Sequence, residues 1–265
     1  MAERRQAKLD RRAQVEAMRA KERARKRRVR LAWLGGGGVA VAAVVAVIVA
    51  VTVSGGSSST SGGGGPAEVM PPAVTGATTT QPPALTVANT TGISGVVAYD
   101  TTGWPTVSNN GPAAQALGHD HVAGPVTYSV TPPVGGDHNA TWMNCGVYDR
   151  PVPNERAVHN LEHGAIWITY SPSLPAAEVS QLRAFFARQT VLNPSGSGGS
   201  RYIDLTPYPG LPSPIVATAW GFQLRLASPS DPRLQQFVDK LRVSQQYTPE
   251  YGAPCTGGVG TPLQQ

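Results

Sequence analysis

The longest apolar run in the chain, LAWLGGGGVAVAAVVAVIVAVTV, fills residues 31–53 and carries no charge. A run of this length can cross a hydrocarbon core about 30 Å thick as a helix, and it lacks the small-residue cleavage pattern of a secretory signal. It therefore predicts a retained transmembrane helix, Leu31 to Val53. Residues 54–95 follow, rich in Gly, Ser, Thr and Pro with almost no large apolar side chains. Such a segment buries too little surface to offset its ordering entropy, so the pattern predicts a disordered, flexible linker. Periodic apolar positions return over residues 96–258, enough for one domain with a single core, and residues 259–265 are left as a tail.

Within the domain, Pro125 to Val130 alternates as a strand does, and a loop rich in Pro and Gly then runs from Thr131 to Glu155. A short helix is expected over Glu155 to His163, stopped by Gly164, with a buried strand from Ala165 to Tyr170. Ser173 is placed to cap a helix over Leu174 to Thr190, whose Val179, Leu182, Phe185 and Phe186 share one face. Strands are expected at Tyr202 to Leu205, Ile215 to Trp220 and Phe222 to Leu226, the last two as a hairpin around Gly221, and a helix at Asp231 to Val243. Together these elements predict an α+β fold: a small, mostly antiparallel sheet with helices on one face, preceded by one transmembrane helix and the linker.

Charge refines the topology. The chain has a formal net charge of +6, but its first 30 residues hold 13 Lys/Arg against 4 Asp/Glu, leaving a net of −3 for the rest. The basic block is explained by cytoplasmic placement of the N-terminus and contact with anionic lipid head groups, which removes the support for a nucleic-acid partner. The expected location is the cell membrane, single-pass, with the C-terminal domain extracytoplasmic. The only cysteines, Cys145 and Cys255, both fall in that domain. In an oxidising compartment such a pair usually forms a disulfide, and closing this loop would be worth roughly 4 to 5 kcal/mol in the chain-entropy model. The alternative is Cys145 as a free thiolate ligand.

All five histidines, His119, His121, His138, His159 and His163, lie within residues 119–163. On a helical wheel His159 and His163 fall opposite the stripe of Ala157, Val158 and Leu161, leaving either a metal-chelating pair or a solvated polar face. The order H-x-x-E-H at His159, Glu162 and His163 is that of an inverted zinc protease, with Glu162 as the candidate general base. The expected helix is too short for that site, and Gly164 ends it directly before a strand. The loop offers His138 and Met143 to complete a sphere, so the expected metal ligands are His138, His159, His163 and Met143. Thioether and imidazole donors favour copper, whereas three imidazoles with a carboxylate or water favour zinc. His119 and His121 are expected to form a mobile entry site or none. Trp142, Tyr148, Trp167 and Tyr170 fit a ligand groove or, more simply, the core. No G-x-S-x-G, P-loop or C-x-x-C motif is present.

GGDHN, NCGVYDRPVPNERAVHNLEHGAIWITYSP, ATAWG and PCTGG resemble the actinobacterial domain-of-unknown-function 3105 family over about Gly118 to Gly258. The resemblance implies one N-terminal anchoring helix and an H-x-x-x-H-G segment, brings no activity with it, and inclines the metal towards copper. The expected function is binding of a transition-metal ion, copper before zinc, by the extracytoplasmic domain. A non-catalytic cell-envelope module contacting an unidentified protein, and a small zinc-dependent hydrolase, are the alternatives.

Overall fold

A computed structural model describes residues 67–101, 116–194, 196 and 198–265. The basic segment 1–30, the apolar run 31–53 and the first part of the expected linker lie outside these residues. Among the described residues no helix is long and apolar enough to cross a membrane.

Among the described residues, eight strands and three helices follow one another as β1 (Thr79–Thr80), β2 (Thr86–Val87), β3 (Val96–Tyr99), β4 (Val126–Thr127), α1 (Asn154–Glu162), β5 (Ile166–Tyr170), α2 (Ala176–Arg188), β6 (Ile203–Pro207), β7 (Ile215–Ala219), β8 (Phe222–Leu226) and α3 (Pro232–Leu241). Six strands form a mixed sheet in the order β2-β3-β8-β7-β5-β6, in which only β5 and β6 run parallel. The α+β class and the mostly antiparallel sheet agree with the sequence. The expected hairpin around Gly221 is present, with Ala219 paired to Phe222 and Gly221 at φ 76°.

The expectation that the helices share one face is corrected. Ile166, Ile168, Ile203, Leu205, Ala217 and Leu224 point to one side of the sheet, where Leu182, Phe185 and Phe186 of α2 and Leu234, Phe237, Val238 and Leu241 of α3 cover them. Trp167 points to the other side, where it meets Ala157, Val158 and Leu161 of α1 together with Met143, Tyr148 and Trp220. Side chains alternate across a strand, so a strand whose five residues are all buried must be covered twice, and β5 is such a strand.

Two further expectations change. Residues 67–95 are not a free spacer: β1 pairs with β4, β2 extends the main sheet beside β3, and Val69 pairs with Thr261. Backbone hydrogen bonds, which the low apolar content of this segment did not forecast, hold it against the domain. Ser173 does not cap α2; its hydroxyl meets that of Ser171, and Pro175 occupies the cap position. Asp231 does cap α3, accepting from the Arg233 amide.

The long loop and the C-terminal tail order each other. Gly146 and Tyr148 bond to Leu205 at the β6 edge, Met143 pairs with Val259, and Val147 exchanges hydrogen bonds with the tail at Leu263 and Gln264. Cys145 and Cys255 stand at disulfide distance in this zipper, Cα atoms 5.4 Å apart and both fully buried. Cys145→Ser should therefore destabilise the oxidised protein by about 2–5 kcal/mol. In a urea midpoint measurement, reduced wild-type protein should fall to the level of the variant.

Candidate metal centre

Helix α1 is buried along nearly its whole length, its polar residues included. His159 is 3% exposed and Glu162 5%, which rules out the solvated polar face. Gly164, at φ 93°, ends the helix where a side chain would strike Thr248 and Val243. What covers the polar side is the loop after β4. Arg156 fastens it, donating to the carbonyls of Pro72 and Thr141 and to the Asn139 side chain, while the Asn139 amide donates to the Glu155 carbonyl.

This clamp brings four side chains together. His121, His138, His159 and Glu162 each offer a donor atom, all within 4.8 Å of one another. His121 reaches the site through a short backbone pairing with His138, in which Val122 donates to the His138 carbonyl and His138 to that of Asp120. His159 and Glu162 stand three residues apart on one side of α1. Ring centroids of the three histidines lie 4.9–5.0 Å apart. His121, with 41% of its side chain exposed, is where the cluster meets solvent.

The ring nitrogens have distinct tasks. Nδ1 of His138 faces the Gly136 carbonyl at 2.8 Å and Nδ1 of His159 the Asn139 carbonyl at 2.6 Å. A carbonyl can only accept, so each Nδ1 carries hydrogen and, in the neutral ring, Nε2 keeps its lone pair. His138 Nε2 then lies 3.0 Å from Glu162 Oε2, and His121 Nε2 lies 3.7 Å from the same oxygen. Burial, followed by the neighbouring His163 and His138, pushes His159 down to about 4, and burial followed by His138 lowers His121. Both rings are thus neutral at neutral pH, the form in which imidazole binds a metal ion.

Of the expected ligands, His138 and His159 converge. His163 does not join them: its Nδ1 faces the Pro254 carbonyl at 2.7 Å and its Nε2 faces Glu250. Met143 is also displaced, packed under α1 in the apolar cluster with Val158, Leu161 and Trp167. Glu162 and His121 take their places. His119 is exposed, Tyr148, Trp167 and Tyr170 are core residues, and of these four expected aromatics only Trp142 reaches the site, 5.6 Å from the His159 ring. The inverted-protease pattern is not realised, because its second histidine turns away and its glutamate lies among the ligand atoms. The i, i+3 spacing of His159 and Glu162 was a signal available in the sequence. The pairing that recruits His121 had none.

A family model described as Protein of unknown function (DUF3105) matches residues 119–257, the span that holds all four clustered residues and both cysteines. No curated protein and no solved structure matches the chain.

The depressed His159 makes the metal-free protein acid-sensitive at this position. Its folded value, about 4, lies below the ordinary 6.5, so its contribution is complete above about pH 6.5 and is lost as pH falls towards 4. Burial raises Asp204 to about 7, which gives a slope of the opposite sign over part of the same range. The difference between wild type and His159→Gln isolates the histidine. The melting temperature of metal-free wild type should fall relative to that variant between pH 6.5 and 4.

Proposed function

The chain belongs to the DUF3105 family of proteins of unknown function, and we propose that it binds one divalent transition-metal ion, zinc before copper, through His121, His138, His159 and Glu162. The observation that carries this reading is the orientation of the rings. Backbone carbonyls take Nδ1 of His138 and His159, and the freed Nε2 of His138 is turned to a buried carboxylate. A lone pair and a carboxylate oxygen at contact distance repel unless a proton or a metal ion lies between them, and three imidazoles converging beside one carboxylate suit the metal ion.

Distances suit such an ion. Tetrahedral ligands about 2.0–2.2 Å from zinc stand about 3.3–3.6 Å from one another. The 3.0 and 3.7 Å separations from Glu162 bracket that edge. Three imidazoles and a carboxylate favour zinc, and the copper reading loses its thioether because Met143 belongs to the core. Nδ1 bonded to a carbonyl is also the usual outer support of a zinc-bound histidine.

The setting forms part of the proposal. The uncharged run at 31–53 and the basic block before it support a single-pass anchor with the metal domain outside the cell. In intact cells, added protease should remove a C-terminal tag and spare an N-terminal one.

Purified full-length protein should take up one tight equivalent of zinc and melt at a higher temperature when loaded. His138→Ala or His159→Ala should weaken binding by more than about 100-fold, beyond the 10–100-fold typical of residues that only support a ligand. Titration against a chromophoric chelator measures the loss, and His119→Ala serves as the unaffected comparison. X-ray absorption of the zinc-loaded wild type should show nitrogen and oxygen neighbours with imidazole scattering and no sulfur. A sulfur shell, or wild-type protein that ignores zinc, would sink the assignment.

A further inference from the structure

His163 and Glu250 stand beside the cluster without belonging to it. His163 Nδ1 is committed to the Pro254 carbonyl at 2.7 Å, so Nε2 is the nitrogen left to face Glu250 Oε2 at 3.5 Å. Their separation matches the edge of about 3.4 Å between two ligands of one tetrahedral ion. Glu250 is not a loose surface acid. Its amide donates to the Glu162 carbonyl at 3.0 Å, which fixes it at the end of α1 beside the buried centre.

The pair bridges two environments. Glu250 has 52% of its side chain exposed, whereas His163 has 3%. The His163 ring lies 4.5 Å from that of His159, edge to face, and Trp142 closes the space beside both, 5.3 Å from His163. The half-exposed Glu250 therefore sets a carboxylate at the mouth of the cluster in contact with solvent, an arrangement that concentrates cations at a site.

We propose that His163 Nε2 and the Glu250 carboxylate form an outer two-ligand position for a zinc-class divalent ion, through which the ion passes to the buried His121, His138, His159 and Glu162. This rests on the reading of those four residues as a metal centre. With only two protein ligands and water for the rest, the outer position binds weakly and exchanges quickly. The buried position binds tightly. No bond other than metal–ligand bonds is made or broken in the transfer, and water from the ion's shell is exchanged for imidazole.

The test uses the full-length chain, zinc sulfate, a competing chromophoric chelator and stopped-flow mixing, with circular dichroism to confirm folding of each variant. Wild type should bind one tight and one weaker equivalent. Glu250→Gln should lose the weaker equivalent and load zinc about five-fold or more slowly, because the attracting charge is gone. Release should slow in proportion, so the tight dissociation constant should stay within about three-fold, as an entry position requires. His163→Gln should repeat this pattern. Loss of tight binding by about 100-fold in Glu250→Gln would make Glu250 a ligand of the buried ion and overturn the proposal, as would loading and stoichiometry like those of wild type. Wild type that binds no zinc at all overturns the four-residue centre itself, and this inference with it.

Discussion

Three carbonyl–imidazole hydrogen bonds hold this domain's polar side in place. Gly136, Asn139 and Pro254 lie in irregular segments, and their carbonyls receive Nδ1 of His138, His159 and His163. Buried carbonyls without partners would cost free energy, and imidazoles without a fixed tautomer could not present a defined nitrogen. The same bonds meet both needs. They draw the loop and the C-terminal segment over α1, and they leave Nε2 of His138 facing Glu162 and that of His163 facing Glu250. The Cys145–Cys255 pair and the backbone bonds of Val259 with Trp142 and Asn144 work to the same end, joining the two covering segments to each other.

Much of this was written in the sequence, and the legible parts share a cause. Helix α1, its stop at Gly164, the strand after it and the hairpin at Gly221 all follow from local rules: an apolar stripe, a residue free to take positive φ, and runs of β-branched and aromatic side chains. Clustering of the histidines pointed to the right stretch of chain, and His138 and His159 were correctly drawn together. What local rules could not supply was pairing at a distance. His121 enters the site through one backbone bridge to His138 across an irregular loop. Residues 67–95 enter the fold through strand pairing, which asks little of side chains; β1 and β2 are two residues each, with no apolar pattern of their own.

The misreading of His163 and Met143 has a physical reason as well. A helical wheel gives a direction from the axis, and it places His159 and His163 side by side. Which way each ring turns is decided by the acceptor waiting for its Nδ1. Asn139 on the loop turns His159 inward, whereas Pro254, beside Cys255, turns His163 towards the rim. Met143 was assigned from its neighbour His138, yet the loop between them crosses the end of the helix. One residue therefore lands on the polar side and the other beneath the apolar stripe. The two-sided sheet could have been read from IWITY, whose unbroken apolar run leaves no face for solvent.

Two buried acids near α1 separate a structural role from a binding one. Asp204 is fully buried, takes a hydrogen bond from Asn160 at 2.8 Å and a longer one from the Gly146 amide, and meets no base. Burial raises it to about 7, the response of a carboxyl group that can shed its charge by holding a proton. Glu162, buried to nearly the same degree, instead has Nε2 of His138 at 3.0 Å and Nε2 of His121 at 3.7 Å. Burying an ionised carboxylate costs several kcal/mol unless a positive partner answers it. Packing alone would have been better served by an apolar side chain at this position. The divalent ion proposed above would offset that cost where the three imidazoles converge, so this side of α1 reads as preparation for a ligand and the surroundings of Asp204 as part of the core.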